Sequence, residues 1–327
     1  MYFLERPKLE DKPEEIFRKC LERYEDGTEK KERLKKCQPL VEKDLARYER
    51  SVKAGNRILP KPKLPDGMKA EELYVVYEEK VLKKGSAGRR RYYNKIVKPA
   101  KSRGCPFCGG TGTLTLDHYL PKSVYPTLCV LPDNLIPVCT DCNGRKGSKC
   151  AANGNGEPLH LYYDRPDRSA RTEGDRITDI YLHVRLDDSF VAEYYVECPE
   201  KWTERFRRRV SEQMEIFGLY ERFSGFAVIE TTNLETSWRG AIQTQRELYL
   251  EDYGDTDAVP DEKRLFHKHI RTMLRTEENI DPNSWKAALY RAWSADLDRL
   301  MEWLKAKEAA KPTKQKRKRT GRKRMMA

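Results

Sequence analysis

Two pairs of cysteines restrict the possible folds of this chain more than any other feature. Cys105 and Cys108 form one C-x-x-C knuckle and Cys139 and Cys142 a second, with 30 residues between them. The chain has nine cysteines, and Cys20, Cys37, Cys129, Cys150 and Cys198 have no partner at such a spacing. An odd total argues against a disulfide framework, whereas two knuckles supply four thiolates for one tetrahedral zinc. Sulfur then fills every position around the metal and leaves none for a reacting water, so this zinc is expected to be structural. A small or polar residue follows each knuckle (Gly109, Asn143), as suits a tight turn that aims backbone N–H groups at sulfur. The gap between the knuckles is longer than in a simple zinc ribbon, so something further is built into it.

Leu114-Thr115-Leu116-Asp117-His118 alternates like a strand and ends in a carboxylate beside an imidazole. Asn134-Leu135-Ile136-Pro137-Val138 reads as a second short strand, and Asn143-Gly144-Arg145-Lys146 opens a helix directly after the last cysteine. The order C-x-x-C, D-H-x-x-P-K-S, N-L-x-P-x-C-x-x-C-N-x-x-K over residues 105–149 resembles the zinc-containing branch of the HNH endonucleases. The resemblance implies an α+β fold in which a central ββα-metal (HNH) module with structural zinc holds one catalytic metal in a crevice. It implies His118 as general base, and Asp117 and Asn143 as oxygen ligands of Mg2+ or Mn2+. Asn134 would hold the His118 backbone in place, and Lys122, Arg145, Lys146 and Lys149 would contact phosphates. Asn143 stands where the family name has a second histidine, a harder ligand better matched to Mg2+ or Mn2+ than to zinc. The form D-H-Y-L-P-K-S is similar to the nuclease component of anti-phage systems such as Septu, in which a partner ATPase restrains or directs cutting. A zinc ribbon that binds nucleic acid without turnover is the alternative, but it gives no reason for Asp117, His118, Asn134 and Asn143 to occur together.

The flanks divide into segments. Residues 1–65 read as a helical N-terminal region: Ile16, Phe17, Cys20, Leu21 and Tyr24 recur on one face, and Leu34, Cys37, Leu40, Val41, Leu45 and Tyr48 on another that Pro39 should kink. A Pro-rich stretch from Leu59 to Gly67 reads as a stiff linker. Residues 66–165 would form the nuclease module, with a helical face of Leu73, Val76, Tyr77 and Val81 ahead of the first knuckle. Residues 166–310 read as a mixed C-terminal domain: a hairpin over 180–196, then stripes from Trp202 to Phe217 and from Trp285 to Leu300 that are core. His160 is expected to pack among aromatics, and His183, His267 and His269 to be structural.

Lys plus Arg number 65 against 52 Asp plus Glu, and nine of the thirteen excess positive charges lie in residues 311–324. That stretch has nothing apolar to bury and is expected to be a disordered basic tail, either solubilising or collecting polyanions such as DNA. Elsewhere hydrophobic residues (38% of the chain) suffice for a core, yet no apolar run reaches membrane-spanning length and Met1–Arg6 lacks the apolar stretch of a signal peptide. A soluble, cytoplasmic protein that binds no membrane is expected.

Overall fold

The structure, a computed structural model, describes residues 1–310 apart from 57, 167 and 255–258; the basic tail lies outside the described residues. Helix α1 (Pro13–Leu21) starts with a proline in its first turn, where the missing N–H costs nothing, and buries Ile16, Phe17, Cys20 and Leu21 against α2 (Glu29–Lys53). Thr28 caps α2 by accepting from Lys31 N. Pro39 does not divide α2, which runs as one helix: the proline is exposed, and buried Cys37 and Val41 on either side of it fix the chain against the core. The Pro-rich stretch that follows is seated on the rest of the protein, with Leu59 buried and its carbonyl accepting from the Tyr125 hydroxyl at 2.8 Å.

Helix α3 (Ala70–Val76) widens into a π turn (Tyr77–Leu82), and a second π turn (Arg89–Tyr93) leads into α4 (Asn94–Lys101), which packs on both central strands. Those strands, β1 (Leu114–His118) and β2 (Leu135–Cys139), pair antiparallel with Leu114 opposite Cys139 and His118 opposite Leu135. Every residue of β2 is buried, and β2 runs directly into α5 (Thr140–Lys146). This register sets the start of β1 beside the second knuckle, and α5 runs back along β1 so that its last residue, Lys146, reaches Asp117.

Beyond the centre come a minimal pair, β3 (Thr172–Glu173) with β4 (Arg176–Ile177), and the expected hairpin, β5 (Leu182–Leu186) with β6 (Ala192–Val196). The Asp187 carboxylate closes its turn by accepting from the N–H groups of Ser189 and Val191 at 2.8 Å. Helix α6 (Glu204–Ile216) carries the Trp202–Phe217 stripe inward, followed by α7 (Leu219–Tyr253) and α8 (Glu262–Ile280). The Trp285–Leu300 stripe is two helices, α9 (Trp285–Ala295) and α10 (Leu297–Ala309), because Asp296 turns the chain and caps α10 through Arg299 N. The fold is mixed α+β, mainly helical with small sheets, and among the described residues no helix is long and apolar enough to cross a membrane.

One hydrophobic cluster runs through all three expected segments, from Tyr2 to Leu304. The first residues stitch them together: Leu4 N donates to Leu161 O, Phe3 N to Asp175 O, and the Tyr2 hydroxyl to Gly104 O.

Candidate active site and cysteine cluster

The four knuckle cysteines are buried, and their sulfurs lie within 4.8 Å of one another. Tetrahedral zinc at ~2.3 Å per bond needs sulfurs about 3.8 Å apart, and Cys108 Sγ lies 3.7 Å from Cys139 Sγ. Backbone N–H groups point inward as the knuckle turns require: Gly110 N is 3.3 Å from Cys108 Sγ, and Cys142 N is 3.4 Å from Cys139 Sγ. Gly109 sits at φ 70°, a left-handed turn that side chains resist. Within the cluster, hydrogen bonds from the neighbouring thiols, Cys105 first, hold Cys139 far below its ordinary range, while Cys142 is pushed up. These residues fit one zinc ion.

At the end of β1 successive residues face opposite ways. Asp117 looks toward α5. Both its oxygens meet Lys146 Nζ, at 3.0 and 2.9 Å, and the same ammonium donates to the His118 carbonyl at 2.7 Å. Burial raises the Asp117 carboxyl from its ordinary value, against the pull of Lys146. Lys146, expected to contact phosphates at the rim, is thus a correction: its side chain is 1% exposed and serves as counter-charge to a buried carboxylate. Asn143, one turn earlier on α5, is half-buried and donates weakly to Leu116 O at 3.4 Å, which leaves its amide oxygen uncommitted by that bond. Oxygen donors for a divalent cation are therefore adjacent, but the Asp117 carboxylate holds an ammonium where such a cation would sit, and the pair fits a metal only once Lys146 shifts.

His118 looks the other way. Its Nε2 lies 2.9 Å from Cys129 O; a carbonyl only accepts, so Nε2 carries the proton and Nδ1 keeps its lone pair. Tyr77 covers the ring edge-on with centroids 4.7 Å apart. Burial pushes the imidazole down to about 3, against the Cys129 carbonyl, which favours the charged form. Asn134, fully buried, clamps the loop that follows: its Oδ1 accepts from Leu120 N at 2.8 Å and its Nδ2 donates to Leu120 O at 3.0 Å, while its backbone carbonyl accepts from Tyr119 N.

The other expected phosphate contacts are engaged within the fold. Lys122 pairs with Glu78 at 3.1 Å above the Tyr74 ring, Arg145 approaches Glu221 at 3.4 Å, and Lys149 donates to Ile216 O at 3.3 Å. His160 packs among aromatics as expected, with Tyr119 at 4.2 Å and the Tyr48 hydroxyl 2.7 Å from Nε2. A cavity of about 780 Å³ is bounded by Cys105–Gly112, α7 and Trp285 and does not include Asp117, His118 or Asn143. Sequence reading missed Arg222, whose guanidinium reaches two of the cluster sulfurs; nothing local to it marks that role, since 80 residues separate it from Cys142.

Fold and cluster together define a mixed α+β protein with a four-cysteine site able to hold one metal ion. Among known proteins, the chain is similar to protein ea31 of Escherichia phage lambda, 28% identical over 232 residues that cover 69% of this chain and 73% of that protein. It is also similar to the Septu protein PtuB of Bacillus thuringiensis, 31% identical over 96 residues, or 28% of this chain and 37% of that protein. No protein-family model matches the chain, and no solved structure does.

Proposed function

We propose that the chain is a metal-dependent endonuclease of the HNH kind, hydrolysing phosphodiester bonds of DNA, and that it serves in anti-phage defence alongside a partner ATPase. The observation that carries this reading is that Asp117 and His118 sit together at the end of β1, with Asn134 clamping the loop that follows them and Asn143 of α5 reaching Leu116 of the same strand. Similarity to a Septu protein supports the biological setting.

In this reading the knuckle zinc holds the ribbon and takes no part in the reaction. Asp117 and Asn143 would hold Mg2+ or Mn2+, which supplies positive charge to the scissile phosphate when bound. His118, neutral with its lone pair on Nδ1, accepts the proton of the attacking water. Asn134 fixes the loop behind it, so the imidazole does not drift as charge builds. Two movements precede reaction. Lys146 must release the Asp117 oxygens, and Tyr77 must swing off the imidazole edge.

With Mg2+ or Mn2+ present, the purified chain should nick plasmid DNA. His118→Ala should abolish nicking while zinc remains at about one per chain. Equal cleavage by the two proteins would remove His118 from the reaction. The closed Asp117–Lys146 pair favours a second reading, a zinc ribbon that binds nucleic acid without turnover; a chain that retains DNA yet leaves it intact under every metal, with or without a partner, would establish that one.

A further inference from the structure

The C-terminal helices meet the cysteine cluster at a single joint. α6 ends at Ile216 and α7 starts at Leu219, with Gly218 between them at φ 57°; a side chain there would run into the Arg145 guanidinium. From the first turns of α7, Arg222 reaches the second knuckle. Its Nη1 lies 3.3 Å from Cys139 Sγ and 3.4 Å from Cys142 Sγ, and its Nη2 donates to Asp141 at 2.9 Å. The side chain is 10% exposed. On the other side of the joint Phe217 stacks on Phe107, a residue inside the first knuckle, with centroids 4.1 Å apart and planes at 23°. One short connection therefore touches both halves of the cluster.

A guanidinium donates and never accepts, and it stays charged under all ordinary conditions. Wedging one between two sulfurs is favourable only if those sulfurs carry negative charge, because a neutral thiol is a weak acceptor and a poor substitute for water. Four thiolates around a divalent ion sum to a net charge of −2, spread over the sulfurs. Binding the ion also fixes both knuckles around one centre, so the two sulfur acceptors that Nη1 bridges are held at the spacing the guanidinium needs. The Arg222 contact thus gains strength when the cluster is loaded.

We propose that Arg222 is a positioning residue for the cysteine cluster, and that seating of the α6–α7 joint on the two knuckles is conditional on a bound metal ion. Linkage makes the effect reciprocal: if metal tightens the joint, the joint tightens metal by the same factor. The inference rests on the four-sulfur site alone and stands or falls independently of nuclease activity.

The test uses the full chain loaded with zinc, competed against a chromophoric chelator, together with amide hydrogen exchange over residues 213–226. Arg222→Met should release zinc about 10-fold more readily, in the range usual for losing a partner that orients metal ligands. Arg222→Lys should fall between, since one ammonium cannot bridge two sulfurs and Asp141 at once. In the unmutated chain, stripping zinc should raise exchange across 213–226 and leave the 182–196 hairpin as it was. Zinc affinity unchanged in Arg222→Met, even with a looser joint, would reduce Arg222 to a packing contact and overturn the proposal. So would a stripped chain whose 213–226 segment exchanges as slowly as before, or one that loses protection everywhere. Should the Met variant not fold, the Lys variant and the stripping experiment decide the matter.

Discussion

Lys146 is the residue whose placement changes most between sequence and structure. A lysine after C-x-x-C-N in a basic stretch reads as a phosphate contact, yet it lies buried across both oxygens of Asp117. Removing one member of a buried pair leaves the other charge without compensation. In magnesium-free buffer Lys146→Met should therefore cost about 3–5 kcal/mol in urea unfolding, and adding Asp117→Asn to that variant should recover most of the loss. If the double variant is as unstable as the single one, the ammonium is holding something other than the carboxylate, such as the His118 carbonyl. The cysteines, by contrast, were fully legible, because C-x-x-C spacing encodes a local turn. Pairing of Lys146 with Asp117, or of Arg222 with Cys139, depends on chain segments 29 and 83 residues apart and leaves no local mark.

Among elements, the part between the knuckles is held by the Asn134 clamp as much as by strand pairing. The loop from Tyr119 to Asp133 has no regular ladder, and Asn134 supplies partners to both polar backbone groups of Leu120. Asn134→Ala should cost about 2–6 kcal/mol in urea unfolding, since two buried backbone groups lose their partners at roughly 1–3 kcal/mol each. Asn134→Asp, which keeps an acceptor for Leu120 N and loses the donor for Leu120 O, should cost less; an Asp variant no better than Ala would mean that the donor carries the clamp. Strands β1 and β2, the 182–196 hairpin and α6 could be read in advance because their apolar residues recur at one period. α7 could not: Leu219, Phe223, Ala227, Leu234, Trp238 and Ile242 are its buried apolar positions, but a buried Thr231 and two glycines dilute them. Likewise the stripe after Trp285 looked continuous, since a capping aspartate interrupts the backbone without interrupting the apolar pattern.

For the whole molecule, buried titratable groups set an acid limit. His118 is held neutral at about 3 against an ordinary 6.5, so the folded form resists a proton that the unfolded chain accepts. Its contribution is complete above 6.5 and is lost as pH falls toward 3, with a limiting slope of about 1.4 kcal/mol per pH unit. His183 and His269, also pushed down by burial, act in the same direction. Burial would raise Asp11, but hydrogen bonds from Lys19, Tyr92 and Arg91 outweigh it and bring the carboxyl down to about 2, so its contribution is present above 3.8 and fades between 3.8 and 2. Stability by urea unfolding should decline from pH 6.5 to 4.5, and more shallowly in His118→Gln. A variant profile parallel to the unmutated one would mean that His118 is not the group that sets this limit.

At 1.5 Å per residue, the 32 residues from Arg222 to Tyr253 give α7 a reach of about 47 Å beyond the sulfurs. A tilt of only 5° at its base would swing the far tip by about 4 Å, and helices packed along it would be carried with it. The arrangement is that of a lever with its fulcrum on the four-cysteine cluster, so a change at the sulfurs would be sensed by a probe placed at the far tip.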